Sequence, residues 1–527
     1  MELHGFSLIG FGYGAAGGAT WQAPNPATAE DLAPVFHSAS AVEVDRAALL
    51  ASDAAPGLAR SSGADRGRLL RAIAARLEAA GVELAARGNA ETALPLARCN
   101  GEIARTVGQL RLFAGVAEAG DWCDARIETA QPDRKPLPKP DHRSMFRAVG
   151  PVAVFGASNF PFAFSTAGGD TASALAAGNP VIVKAHPAHP GTAELVGQCV
   201  VEAVRETGFP EGTFSVLFDA GHEIGAALVG HPSVKAVGFT GSRKGGVTLM
   251  EIATKRPEPI PVFAEMSAVN PVFVLPQALQ ARSVAIADGL IQSVTMGVGQ
   301  FCTNPGLVVL EASPAATEFI ARLAGKLGAA AAEPMLTAGI HAAFARGVDG
   351  RSTEAGVRVV ARGAKGGAGC AEAALFATDA ATFLRHATLA AEIFGPTTLV
   401  IECRDRAEML AVARHLEGSL TATIQAEAGD DVAELAATLA ERAGRVLYGG
   451  YPTGVEVSHA MVHGGPFPAT SDARMTSVGS RAIHRFARLI CYQGFPAALL
   501  PPELQDANPL GLWRLVDGQF SRDPMAH

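Results

Sequence analysis

The sequence predicts an α/β protein built on a doubly wound parallel sheet, with a second α/β region after it, and three observations carry that expectation. Between residues 151 and 275 short β-rich runs alternate with helix-patterned stretches, the rhythm of parallel strands joined by crossover helices. The chain has 527 residues, more than one hydrophobic core can serve, so two or three domains are expected. Apolar residues make up 48% and charged residues 18%, the balance of a large, well-buried globular protein and not of a disordered or fibrous one.

In chain order, residues 42–115 are rich in Ala, Leu, Arg and Glu at helical spacing, as in RLLRAIAARLEAAGVELAARG, and read as amphipathic helices. The Pro- and charge-rich QPDRKPLPKPDH (131–142) reads as a connector or edge segment. The alternating region opens with the apolar run PVAVFGA, and TAGGDTASALAAG follows as a helix closed by Gly178. NPVIVKA is the next strand, and PGTAELVGQCVVEAVRETG a long helix with Gly208 at its end. TFSVLFD, KAVGFTG and IPVFAEM complete the strands, with EIGAALVG and RKGGVTLMEIATK as the intervening helices. From 276 to 480 a second mixed region begins with a helix that leads into Cys302. No internal repeat is present, and alanine-rich patches such as GAAAAEP read as helix or loop filler.

A formal net charge of −8 argues against a nucleic-acid or anionic-membrane partner. The N-terminal MELHGFSLIGFGYG has no basic region followed by an apolar core, so no secretory signal is expected. No apolar run approaches the ~18–20 residues that span a bilayer. Seven cysteines (Cys99, Cys123, Cys199, Cys302, Cys370, Cys403, Cys491) are dispersed without a C-x-x-C pair or a Cys/His cluster. They read as reduced thiols in a cytoplasmic protein, with neither a disulfide framework nor a bound metal.

GYGAAG (12–17) matches the dinucleotide fingerprint G-x-G-x-x-G, yet no strand of useful length precedes it and prolines replace the helix after it. It reads as a flexible N-terminal segment. FDAGHEIG (218–225) and FTGSRKGG (239–246) are better placed, because each follows a strand and opens a helix. Their residues Gly221, Gly225, Gly241, Ser242 and Gly246 would let a pyrophosphate approach exposed helix N–H groups. Ordinary strand-to-helix turn chemistry explains either one alone; two in one sheet keep nucleotide binding open.

GQFCTNPG (299–306) sets Cys302 among Gly, Thr, Asn and Pro, which leaves its sulfur reachable where a structural thiol would sit in an apolar run. With FGASNFPF (155–162), PVIVKAHPAHPGT (180–192), FTGSRKGG, FAEMSAVNP (263–271) and EIFGP (392–396), it makes six ordered motifs with compatible spacing. In these the chain resembles the aldehyde dehydrogenase superfamily over nearly its whole length. Within that superfamily, GGDTASALAAGNPVIVKAHPAHPGT and YPTGVEVSHAMVHGGPFPATSD (451–472) look like the branch acting on α-ketoglutaric semialdehyde (2,5-dioxovalerate). The NADP-dependent fatty aldehyde dehydrogenases are a related branch.

The resemblance implies oxidation of an aldehyde to an acid with Cys302 as nucleophile, forming a thiohemiacetal and then a thioester. It puts the Asn159 amide and the Cys302 backbone N–H on the developing oxyanion. Glu265, at the end of an apolar strand where a carboxylate is costly without a task, takes the place of the general base for deacylation. Glycines usually follow that glutamate, and here Ser267 and Ala268 stand in their place. For the cofactor the resemblance implies Lys184 and Glu392 on ribose hydroxyls and Phe394 beside the nicotinamide. Gly241, Ser242 and Gly246 would form the phosphate turn, with Phe155, Gly221 and Gly225 also lining the cofactor. A ribose-binding glutamate of NAD-preferring members is Pro187 here, so a 2′-phosphate meets no carboxylate and NADP is expected as the preferred cofactor, with NAD possible.

A dicarboxylate product calls for a basic group at the distal end of the substrate, and Arg474 and His463 are the candidates, with Phe162 and Gln292 as pocket walls. The implied domains are 1–130 with 151–275 for the dinucleotide and 276–483 for catalysis. Residues 131–150 and 484–527 would form an oligomerisation element and tail, in a homodimer or homotetramer. Three other readings stay open: an acylating reductase that passes the thioester to coenzyme A, a silent binding protein, and a thiol hydrolase using a Cys302/His463 pair. Glu265 speaks against the first, retention of Cys302, Asn159 and Glu265 against the second, and the phosphate-type turns against the third.

Overall fold

The computed structural model describes residues 1–525, so the last two residues of the segment assigned as 484–527 lie outside the described residues. Helices dominate the first quarter: α1 (Ala41–Arg60), α2 (Gly63–Ala79), α3 (Gly81–Thr92) and α4 (Leu96–Ala119). Ser40 and Ser62 start the first two with capping boxes, each hydroxyl accepting from the N3 backbone while Glu43 or Asp65 returns the bond. Leu69, Leu70, Ile73 and Leu77 of α2 and Leu110 and Phe113 of α4 are buried in the core shared with the first sheet. The amphipathic pattern read over 42–115 is this layer.

The alternating region forms the parallel part of a seven-stranded sheet. Its order is Val262–Glu265, Ala236–Thr240, Val152–Phe155, Val181–Lys184, Phe214–Leu217, then Leu8–Ile9 and Gly12–Tyr13. Each crossover is a helix: α5 (Gly169–Ala177), α6 (Pro190–Glu206), α7 (Glu223–Gly230) and α8 (Arg243–Thr254). Gly178 does close α5, at φ +92, where a side chain would be strained and its Cβ would meet the Leu58 carbonyl oxygen at 3.0 Å. Register brings Phe155 beside Lys184 and Thr240 beside Glu265, so the carboxyl ends of the strands share one rim.

The N-terminal segment corrects one expectation. GYGAAG is not a flexible lead-in: Leu8–Ile9 and Gly12–Tyr13 form a hairpin whose first strand pairs antiparallel with Phe214–Leu217 and covers that sheet edge. Two apolar residues were enough because the edge supplies the rest of the ladder.

At the opposite edge, chain from the second half returns onto the strand Val262–Glu265. Met266 N–H donates to the Ala469 carbonyl at 2.8 Å, and Ser471 N–H to the Ala264 carbonyl at 2.9 Å. Glu265 and Thr470 form an isolated antiparallel bridge between them.

A second seven-stranded sheet runs Arg358–Arg362, Ala374–Asp379, Thr397–Cys403, Leu307–Glu311, Val272–Val274, Ser419–Gln425, Ala443–Tyr448, parallel except for the first strand. α9 (Pro276–Thr295) leaves Val272–Val274 and ends above the loop that holds Cys302. Gly299, at φ +63, lets that loop touch the 392–396 turn; a Cβ there would lie 2.3 Å from the Gly395 carbonyl carbon. A separate five-stranded sheet joins Ala487–Gln493, His142–Ala148, Arg126–Glu128, Arg514–Val516 and Gln519–Ser521. Leu489 and Phe520, on its two opposite edge strands, are 61% and 71% exposed. No helix among the described residues is long and apolar enough to cross a membrane.

Candidate active site

Cys302 lines a cavity of about 770 Å³. The cavity lies between α4, the FGASNFPF turn and the loop that follows α9, and Phe160, Phe164, Phe301 and Met296 give it an apolar lining. The sulfur is only half-buried because the loop offers Gly, Thr and Asn where a core would offer branched side chains.

Beside the sulfur, three reactive groups converge. His463 Nε2 lies 3.5 Å from Cys302 Sγ and 2.9 Å from Glu265 Oε1, and Ser477 Oγ donates to Glu265 Oε2 at 2.9 Å. Ligand atoms of Glu265, Cys302 and His463 all fall within 4.8 Å of one another, a set a zinc ion could also bridge, although both Glu265 oxygens already have partners. Burial by itself would lift the Glu265 carboxyl. The charge and hydrogen bond of His463, helped by Ser477 and Cys302, outweigh it and hold that group below its ordinary value. Burial, and then the charge of Glu265, push the Cys302 thiol well above its ordinary value, while Arg105 pulls the other way. The resting sulfur is therefore a thiol whose proton has buried acceptors beside it.

Asn159 reaches the Cys302 loop: its Nδ2 donates one hydrogen to the carbonyl of Gln300, two residues before Cys302, at 2.9 Å, which leaves the second for another acceptor. The loop is pinned from below by Asn270, whose Nδ2 donates to the carbonyls of Cys302 (2.9 Å) and Asn304 (3.0 Å). Thr421 donates to Asn270 Oδ1, and the residue holds φ +46. Asn270 lies in FAEMSAVNP, but only its pairing shows it as the clamp of the Cys302 loop. Ala268, in place of a glycine, is buried against Leu420, Ala469 and Cys302 without disturbing the strand end.

The residues expected at a dinucleotide lie along the rim of the first sheet and across from it. Lys184 is buried, with Nζ donating to the Asp219 carbonyl at 3.2 Å, and burial pulls its ammonium down. Phe155 is buried against Phe239 and against Gly225, where a Cβ would come within 2.9 Å of its ring. Gly221 N–H donates to Asp219 Oδ1 and Ile224 N–H to Oδ2, so that carboxylate is turned toward the start of α7. Gly241 and Ser242 are exposed at the start of α8, where Ser242 caps the helix; Gly246 is buried on Met266, whose sulfur a Cβ would meet at 2.6 Å. Glu392 and Phe394 share a small recess with Ala268, Phe301 and Asn304. Burial pushes the Glu392 carboxyl up to about 8, against the pull of the Ala268 N–H. A cationic Nζ held by one carbonyl, open glycines at a helix start and an underbonded carboxyl form a donor and acceptor set that suits a phosphorylated, hydroxylated ligand.

The four residues expected around the substrate are corrected. Phe162 does not wall the cavity: it is 2% exposed in the helical core, packed beside Gly88. Alternation along the turn gives the cavity to Phe160 and Phe164 instead. Gln292 is exposed on α9 and is not on the wall of the Cys302 cavity. The side chain of Arg474 is 82% exposed and paired with Asp472. His463 lies between Cys302 and Glu265, not at a distal subsite.

Two cations that sequence reasoning missed do line the cavity, Arg98 and Arg105, two turns apart on one face of α4. Arg98 is spent: its Nε pairs with Glu102 at 2.8 Å, and its guanidinium lies 4.6 Å from the Phe160 and Phe301 ring centroids. Their i, i+7 spacing was the available signal, and Glu102 between them is buried on the same helix as the partner of Arg98.

The family model described as aldehyde dehydrogenase family matches residues 14–467. The chain is 51% identical over 523 residues to α-ketoglutaric semialdehyde dehydrogenase 2 of Azospirillum brasilense, covering 98% of this chain and 100% of that one. It is 47% identical over 513 residues to α-ketoglutaric semialdehyde dehydrogenase of Acinetobacter baylyi, with 97% of each covered. Among solved structures, its fold is similar to betaine aldehyde dehydrogenase of Staphylococcus aureus in complex with NAD+, at a TM-score of 0.80 and 18% identity over 94% of this chain and 98% of that one.

Proposed function

The chain belongs to the aldehyde dehydrogenase family, and on that premise we propose that it converts α-ketoglutaric semialdehyde (2,5-dioxovalerate) to 2-oxoglutarate through a covalent adduct on Cys302. It is an NAD(P)-dependent enzyme acting on a small aldehyde. The observation that carries the covalent route is the meeting of thiol, imidazole and carboxylate within 4.8 Å at a cavity. The names of two relatives near 50% identity support the substrate.

Cys302 gives its proton to the Glu265–His463 pair, and the sulfur adds to the aldehyde carbon. The resulting oxyanion accepts from the Cys302 N–H and from the spare hydrogen of Asn159 Nδ2. When bound, NAD(P)+ would supply the hydride acceptor; Lys184 and Glu392 would hold its ribose hydroxyls, Phe394 would flank the nicotinamide, and Gly241, Ser242 and Gly246 would meet its phosphates. A thioester is left on Cys302. Glu265 then takes a proton from water, the hydroxide oxygen bonds to the acyl carbon, the C–S bond breaks, and the free acid leaves while the thiolate recovers a proton. A buried base with this task supports hydrolysis over transfer to coenzyme A.

NADP is the preferred cofactor in this reading, supported by Pro187 and by the engagement of two acids of this domain. Asp219 serves the start of α7, and Glu91 accepts from Gly191, Thr192 and Arg87. Leu489, exposed on the 487–493 strand that pairs with 142–148, supports a homodimer or a homotetramer built on that sheet. A fatty aldehyde as substrate is the second reading, favoured by the four apolar side chains that line the cavity.

One assay tests the set. Purified protein with 2,5-dioxovalerate and NADP+ should build the reduced-nicotinamide absorbance without coenzyme A, and Cys302→Ala should abolish it. A preference for long aliphatic aldehydes over 2,5-dioxovalerate would give the substrate to the second reading.

A further inference from the structure

Arg105 is the side chain on the cavity wall whose needs the protein leaves unmet. Its Nη1 donates to the Val455 carbonyl, and its guanidinium stands 5.3 Å from the Phe164 ring centroid. Nε and Nη2 are sealed from solvent and have no hydrogen-bond partner, and among the described residues it makes no ion pair. Leaving two donors of a buried cation unpaired is costly unless something else occupies them. Burial pulls the guanidinium below its usual value, and an ionised Cys302 sulfur would act against that pull, which puts the two in one electrostatic neighbourhood. Gly101, one turn earlier on the same face of α4, adds no side chain and has open space where a Cβ would be, so an acyl chain can pass it. Arg98, the other cation on this wall, is neutralised by Glu102 and cannot serve.

We propose that Arg105 is the specificity-determining residue of this cavity, receiving the carboxylate at the far end of an aldehyde whose reactive carbon lies on Cys302. The ligand class is an ω-oxo acid: a short chain with an aldehyde at one end and a carboxylate at the other. Nε and Nη2 lie on one edge of the guanidinium, the geometry that takes both oxygens of a carboxylate at once, and the side chain would turn toward the cavity to bring that edge, closed off in the empty protein, onto the ligand. The inference rests on the substrate reading above and goes further, by naming the side chain that reads the anionic end. It also explains why the cavity would favour this acid over a neutral aldehyde of equal length, which leaves the two buried donors as unmet as they are in the free protein.

The test compares 2,5-dioxovalerate with pentanal, an aldehyde of the same length without the anion. It uses the full-length wild type, Arg105→Met and Arg105→Lys, each with the same cofactor. In the wild type the ratio of kcat/KM should strongly favour 2,5-dioxovalerate. In Arg105→Met that ratio should fall on the order of 100-fold, carried by KM more than by kcat. In Arg105→Lys, which keeps the charge and loses the fork, the fall should be about tenfold. A loss of rate on both aldehydes that leaves the ratio unchanged would assign Arg105 a structural role and overturn the inference. If Arg105→Met yields no active protein, the Arg105→Lys ratio decides, and an unchanged value overturns it. A wild-type ratio near one would instead remove the substrate reading itself, an outcome distinct from a selective wild type whose selectivity survives the loss of Arg105.

Discussion

The Glu265 carboxylate and the His463 imidazole meet at 2.9 Å, with side chains only 2% and 1% exposed. A carboxylate this deep is expensive to keep ionised, and its partner is what makes that state accessible. Because the same Nε2 also lies 3.5 Å from Cys302 Sγ, the imidazole touches nucleophile and base at once, beside the direct contact between thiol and carboxylate.

Replacing His463 with Leu removes that support while leaving the burial. The Glu265 pKa then rises, so the carboxylate is lost sooner as pH falls and the acid limb of the kcat profile moves to higher pH. At neutral pH kcat should drop about 10- to 100-fold. A pH–rate profile of His463→Leu against wild type checks this, and an acid limb that stays where it was would remove His463 from the base.

Asn159→Ala takes away the side-chain donor to the oxyanion. We expect kcat to fall about 100- to 1,000-fold. Iodoacetamide should still alkylate Cys302, because the thiol needs no oxyanion donor to react. Wild-type kcat in the variant would leave the Cys302 N–H as the sole donor that matters.

The Glu392 carboxyl, pushed up to about 8 by burial, ties stability to pH in the cofactor-free protein. Its folded pKa exceeds the unfolded one, so its contribution is full below the ordinary carboxylate range and is lost as pH climbs to about 8. Glu392→Gln cannot ionise. Its Tm should therefore gain on that of wild type between about pH 5 and about pH 8 and level off above, read by differential scanning fluorimetry. A Tm difference that does not vary with pH would show that the carboxyl titrates normally.

Cofactor choice should turn on Pro187. Wild type is expected to favour NADP over NAD by at least about tenfold in kcat/KM, and Pro187→Glu should reverse the order by setting a carboxylate against the 2′-phosphate. Equal efficiencies in the wild type would count against the preference.

Much of the fold was legible because its signals are local. Each of the five parallel strands falls inside the run that announced it, and α7 covers residues 223–230 as the pattern EIGAALVG predicts. What stayed hidden depends on partners distant in sequence. Leu8–Ile9 is too short to read as a strand and exists because Phe214–Leu217 offers an edge. Phe162 and Phe160 are equally apolar in FGASNFPF, and only the approach of Gly88 decides which ring enters the core. Cys302 and Glu265 could be read from motifs, whereas His463 was assigned to the substrate because nothing in MVHGGP records that its chain folds back on Val262–Glu265. Arg105 was invisible for a related reason: its meaning lies in the partners it lacks.

That fold-back has a further consequence. Residues 469–471 belong to the half of the chain that follows the second sheet, yet they are hydrogen-bonded to the border strand of the first. The two halves are thus sewn together along the backbone at the very strand that ends in Glu265. Neither half can melt alone without tearing that seam, so heat or denaturant should extinguish turnover and dismantle both sheets in one concerted event, and a chain severed between them should yield two inert pieces.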